Sequence, residues 1–178
     1  MRLLLLLALT LPARAQLVGN IMDAPQHLFT VGGGVGPTNR DWSAHGGIGE
    51  KISAQTGTYS YTGTDFVPAL ITLPNGARAI SVTIIVHTGL KQILFQRDRF
   101  TFVVDGSAGT SLPSSQNPSY NFSVIGAVDF VWRLNKTLRT TKGEGNSYLA
   151  LEQRFTQLTG APGQTVVSLG IAWVHSVN

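Results

Sequence analysis

Phe122-Ser123-Val124-Ile125-Gly126-Ala127-Val128-Asp129-Phe130-Val131-Trp132-Arg133-Leu134 is the stretch whose reading decides the fold. Phe122, Val124, Val128, Phe130, Trp132 and Leu134 share one parity; Ser123, Ala127, Asp129 and Arg133 share the other, with Ile125 and Val131 as exceptions. Successive side chains of an extended chain point to opposite faces, so a period of two means a strand with one apolar face.

The same period runs outward from there in both directions. It predicts strands over 28–36, 42–52, 55–66, 79–90 (continuing toward 95), 100–109, 122–134, 147–158 and 164–177. Turn chemistry separates them. Gly36-Pro37-Thr38-Asn39 and Gln96-Arg97-Asp98 read as tight turns, and Gly160-Ala161-Pro162-Gly163 as another. Pro68 and Pro74-Asn75-Gly76 make 67–78 a loop, Pro113 and Pro118 make 111–119 a loop, and 135–146 is polar and turn-rich. Eight strands without an intervening helical stripe exclude a parallel sheet, whose crossovers need helices. The expected fold is all-β, an eight-stranded antiparallel up-and-down barrel, eight being a common small closed number.

Which face points outward follows from the second face. It is built from Gly, Ser, Thr and Ala, and its charges fall mid-strand at Asp105, Asp129, Arg133, Glu152 and Arg154. Charged residues make up 12% of the chain and only four are lysines, whereas a water-facing surface normally carries about 25–35%. A narrow lumen, by contrast, takes small side chains and mutually paired charges. These five residues are therefore expected as a lumenal ion-pair network. Val124, Val128, Phe130, Leu149, Leu151, Val167, Leu169 and Ile171 are expected to face lipid, and Trp42, Phe100, Phe122, Trp132 and Trp173 to form an aromatic girdle. A soluble periplasmic or secreted barrel enclosing a small apolar ligand is the alternative with the opposite facing.

The N-terminus speaks for export. Met1-Arg2 is a positive start, Leu3 to Leu11 an apolar run, Pro12 a break, and Ala13-Arg14-Ala15 a small-residue cleavage signature. This is a secretory signal cut after Ala15, too short to span a membrane. The chain thus divides into a signal peptide at 1–15, a lead-in at 16–25 and a barrel domain at 26–178. Without Arg2 and Arg14 the formal charge of +4 falls to +2, and no basic run or basic–aromatic stripe exists, which excludes a nucleic-acid footprint. The absence of cysteine excludes disulfides, zinc-thiolate sites and a thiol nucleophile.

These features resemble small bacterial outer-membrane β-barrel proteins of the eight-stranded class. The likeness rests on the signal, the amphipathic strands, and three segments: Val31-Gly32-Gly33-Gly34-Val35-Gly36, Val104-Asp105-Gly106-Ser107-Ala108-Gly109 and Val167-Ser168-Leu169-Gly170-Ile171-Ala172-Trp173. It covers about residues 26–178. It implies an outer-membrane location in a Gram-negative envelope, membrane lipid as surroundings and the barrel-assembly machinery as partner during insertion. It further implies a structural or surface-interaction role without a wide porin-like pore. The family usually ends on an aromatic residue, whereas this chain ends His175-Ser176-Val177-Asn178.

No residue is expected to be catalytic, and no cofactor or metal is expected. His45 and His87 fall on polar strand faces, but a metal site needs further ligands in the right geometry. His175-Ser176 invites comparison with lipid A deacylase, a lipid-modifying esterase barrel. Adjacent residues, however, point to opposite faces, which separates the two side chains and leaves a lipid-modifying outer-membrane enzyme as an alternative rather than the leading reading. Gly32-Gly33-Gly34 and Gly46-Gly47 precede no helix and are expected to relieve crowding where strands coil.

Overall fold

The computed structural model describes residues 25–38, 41–113, 121–139, 141–159 and 164–178. The expected signal peptide, and the lead-in up to residue 24, lie outside the described residues. Eight strands follow in chain order: β1 His27–Val35, β2 Trp42–Ser53, β3 Thr58–Thr72, β4 Arg78–Arg97, β5 Phe100–Ser111, β6 Phe122–Arg133, β7 Gly145–Leu158 and β8 Gln164–Val177. Each pairs antiparallel with its sequence neighbour, and β8 closes on β1 from His27↔Val177 to Val35↔Leu169. Among the described residues there is no helix.

The pairing also sets the coiling. Followed from His27 through Glu50, Ser60, Leu90, Gly106, Gly126 and Phe155, the ladder reaches Val167. Val167 lies two residues from Leu169, the partner of Val35. The circuit therefore closes about ten residues further along β1 than it began, a shear that tilts the strands by roughly 40°. Both β1 and β8 begin or end at one rim, here the terminal rim, with the turns after β2, β4 and β6. The far rim holds the connections after β1, β3, β5 and β7.

The expected loop at 67–78 is shorter than the sequence suggested. β3 continues to Thr72 and β4 begins at Arg78, so only 73–77 turns, held by Leu73 N–H to Ala77 O at 2.8 Å and by Gly76 at φ 79°. Pro68 sits inside β3, opposite Val82. The β2 partner ends at Ala44↔Phe66, and beyond it Gln164 takes the place of a strand. Its amide accepts from Leu70 N–H at 2.8 Å and donates to Pro68 O at 3.2 Å. The hydrogen-bonding side of Pro68 thus faces a sheet edge, where a missing N–H costs little.

Three interior layers result. Val67, Ala69, Ile85, Ile125, Leu158 and Val166 pack together toward the far rim. Tyr59 with Ile93, and Val131 with Ala150 and Ala172, pack toward the terminal rim. Between them lies a polar layer.

Candidate functional site: the charged lumen and the apolar outer face

Strand parity carries the polar layer inward from every strand except β1. Asp65 of β3 is the hub on one side. Arg154 Nε donates to Asp65 Oδ2 at 2.8 Å and Nη2 to Oδ1 at 2.7 Å, a two-pronged pair of the kind a planar guanidinium makes best. His87 Nε2 lies 3.1 Å from Asp65 Oδ1. On the other side Lys91 Nζ donates to Asp105 Oδ2 at 2.8 Å and stands 3.5 Å from Asp129 Oδ2, with its ammonium 4.5 Å from the Tyr61 ring centre. Glu152 joins the halves, its Oε2 3.5 Å from Arg154 Nη1 and 3.4 Å from His45 Nε2. Ser43 and Ser168 hydroxyls meet at 2.7 Å beside them.

These side chains are 6% exposed or less. Four carboxylates face Lys91, Arg154 and the two imidazoles, so the desolvation of Asp65, Asp105, Glu152, Lys91 and Arg154 is offset by more than one partner each, while Asp129 faces Lys91 alone. Glycine makes the room. A Cβ at Gly32 would stand 2.7 Å from the His45 ring, and one at Gly63 would stand 2.9 Å from His87 Nε2.

Asp105, Asp129, Glu152 and Arg154 come together in this network. Arg133 shares their parity but lies at the terminal end of β6, half-buried, and makes no salt bridge among the described residues. Asp65, Lys91, His45, His87 and Tyr61 belong to the network and were not among the ion-pair candidates. The signal for them was present, since Tyr61-Gly63-Asp65 and His87-Gly89-Lys91 continue the inward parity of their strands.

The outer face has the opposite character. Val124, Phe130, Leu149, Leu151, Val167, Leu169 and Ile171 point away from the lumen and are exposed, and Val128 lies on the same side, half-exposed. Ile125 and Val131, the exceptions to apolar parity, point inward as parity requires and are buried. The aromatic candidates divide between the rims. Trp42 opens β2 and Phe122 opens β6 at the far rim. Phe100↔Trp132, Trp132↔Leu149 and Leu149↔Trp173 form a cross-strand row toward the terminal rim, to which Phe102 and Phe130 add a ring pair at 4.9 Å.

His175 and Ser176 separate as their adjacency demands: Ser176 is buried and His175 lies outward. A different serine meets the imidazole. Ser147, directly across on β7, lies 3.2 Å from His175 Nδ1, and Trp173 stacks on the ring at 5.4 Å between centroids. Among the described residues no carboxylate comes within salt-bridge distance of His175 to orient it as a general base. Nor do any three described His, Asp or Glu form a group able to hold a metal ion.

No family model, curated protein or solved structure matches the chain.

Proposed function

We propose that this protein is a β-barrel of the bacterial outer membrane, with a structural or surface-interaction role and a lumen closed to solutes. One observation carries the reading. Among the described residues, the outward face of the eight strands between their ends bears a single charged side chain, Glu50, three residues from the terminal end of β2. The remaining charges are in the lumen or at the rims. Large apolar side chains cover that outward face instead, Val35 at 71%, Ile171 at 61% and Leu169 at 57% exposure. A soluble barrel would place its ions in water and its apolar side chains inside.

The height of the face agrees. Phe122 and Trp132 stand ten residues apart on the outer side of β6. At a rise of about 3.3 Å per residue and a tilt of roughly 40°, that is about 25 Å, the height of the apolar band of an outer-membrane barrel with aromatic girdles at its edges. The lumen, filled by Arg154, Tyr59, Tyr61, Ile85 and Ile125, supports a plug rather than a channel. The reading assigns the barrel no catalytic role, and surface contacts fall to the far-rim connections.

The test uses the cysteine-free background. Single cysteines at 128, 149 and 169 are expected to react with lipid-soluble maleimides in native membranes, whereas cysteines at 129 and 152 stay protected. Release of the protein by osmotic shock without detergent, or water-accessible reactivity at 149 and 169, overturns the membrane reading in favour of a soluble barrel.

A further inference from the structure

The rims differ sharply in charge. The four far-rim connections carry only Arg40 and Asp41 by sequence, which cancel, and Arg78, the exposed first residue of β4, adds a single cation there. The terminal rim carries Arg97 and Arg99 around the β4–β5 turn and Lys136, Arg139 and Lys142 in the β6–β7 connection, against Asp98 and Glu144. Lys136, Arg139 and Lys142 are exposed, and Arg97 is 81% exposed with Asp98 as a loose partner at 3.9 Å. This basic rim lies directly beyond Phe100, Trp132 and Trp173. Cations set just outside an aromatic girdle stand at the depth of lipid phosphates.

A barrel entering a bilayer must carry one set of connections through hydrocarbon, and each ion taken across costs several kcal/mol. The far connections carry the fewer ions, Arg40, Asp41 and Arg78, and are the ones suited to that passage. The β3–β4 hairpin, which extends past the β2 and β5 pairings, turns through Leu73-Pro74-Asn75-Gly76-Ala77 with Arg78 as its one ion and shows Ile80 and Val82 on its outer face. The terminal rim, with its cations and the end of β8, stays on the side of entry.

We infer that the terminal rim binds the phosphate headgroups of anionic glycerophospholipids in the leaflet from which the barrel inserts, and that this contact sets its orientation. The inference rests on the membrane reading above. Four exposed cations, Arg97, Lys136, Arg139 and Lys142, with the half-buried Arg99 among them, attract one headgroup layer additively, and salt weakens the attraction because the sites are open to solvent.

The experiment dilutes the full chain from urea into preformed vesicles of phosphatidylcholine, of phosphatidylcholine with equimolar phosphatidylglycerol, or of phosphatidylcholine with lipid A. Folded yield is read from electrophoretic mobility without heating. Orientation is read by a membrane-impermeant maleimide on Thr141→Cys at the terminal rim or Ala77→Cys at the far rim. Phosphatidylglycerol is expected to raise the folded yield at least about fivefold at low salt, an advantage that high salt removes. Thr141→Cys should react from outside, and Ala77→Cys only after the vesicles are dissolved. The triple variant Arg97→Gln/Arg139→Gln/Lys142→Gln should lose the phosphatidylglycerol advantage while still folding in zwitterionic detergent micelles. Equal yields with and without phosphatidylglycerol, a triple variant that responds like the parent, a larger response to lipid A, or labelling of Ala77→Cys from outside each overturn the inference. A chain that folds in plain buffer and floats with none of the vesicles overturns the membrane reading itself, an outcome distinct from insertion without headgroup preference.

Discussion

Replacing Gly32 with valine would place its Cβ 2.6 Å from the Ala172 Cβ and 2.7 Å from the His45 ring, where nothing can retreat without disturbing the His45–Glu152 contact. Crowding of this kind costs about 1–3 kcal/mol. Gly32→Val is therefore expected to unfold at lower urea than the parent in detergent micelles. Gly106→Ala, whose added carbon meets nothing within 4 Å, should stay within about 0.5 kcal/mol of it. Arg154 tests the network more directly. Its guanidinium is 1% exposed and holds both oxygens of Asp65. Arg154→Met leaves that carboxylate buried beside His87 alone, a loss of about 3–5 kcal/mol, whereas Arg154→Met with Asp65→Leu should recover much of it. If the double variant is no better than the single one, the ions do not act as a pair.

At the scale of the strand, facing rather than sequence separation decides what a substitution does. Leu169 and Ser168 are neighbours on β8, yet one is 57% exposed on the outer face and the other is buried beside Ser43. On the proposed membrane reading Leu169→Arg is expected to cost about 2–4 kcal/mol in lipid vesicles, where the charge would face hydrocarbon near the bilayer midplane. In detergent-free water a soluble barrel would tolerate the same exposed arginine, so a neutral outcome in vesicles counts against the assigned facing. The upper half of β3 depends on a side chain instead of a strand. Gln164→Ala removes both bonds to Leu70 and Pro68 and should loosen the β3–β4 hairpin, seen as faster amide exchange at Leu70 and a loss of about 1–2 kcal/mol.

For the whole molecule, closure and filling together set what can pass. Eight strands enclose an interior just wide enough for side chains. Here the polar layer is roofed by the Val67–Ile85–Ile125 cluster and floored by Tyr59 and Val131. Planar-bilayer recordings of the full chain are expected to show no steady porin-like conductance. A large, persistent conductance would mean that the ion-paired layer opens, and would overturn the closed-lumen reading. Arg154→Ala is the variant with the best prospect of a measurable leak, since it removes the largest fully buried side chain.

What the sequence determined by itself is local, and it is most of the fold. The period of two in 122–134 and its counterparts specifies strand count, strand type and which side chains share a face, because alternation is a property of the extended backbone alone. Ile125 and Val131 broke the apolar pattern on paper, and parity still placed them correctly inward. The tertiary structure decided whatever depends on who stands across the lumen. Asp65 is a lone carboxylate in 55–66 until closure brings Arg154 of β7 against it, a contact 89 positions away in the chain. Ser147 and His175 meet only because β7 and β8 align them. The extension of β3 through Pro68 was illegible for the same reason. A proline argues against a strand unless its hydrogen-bonding side faces a sheet edge, and only the register, with β2 ending opposite Phe66 and Gln164 reaching in, shows that it does.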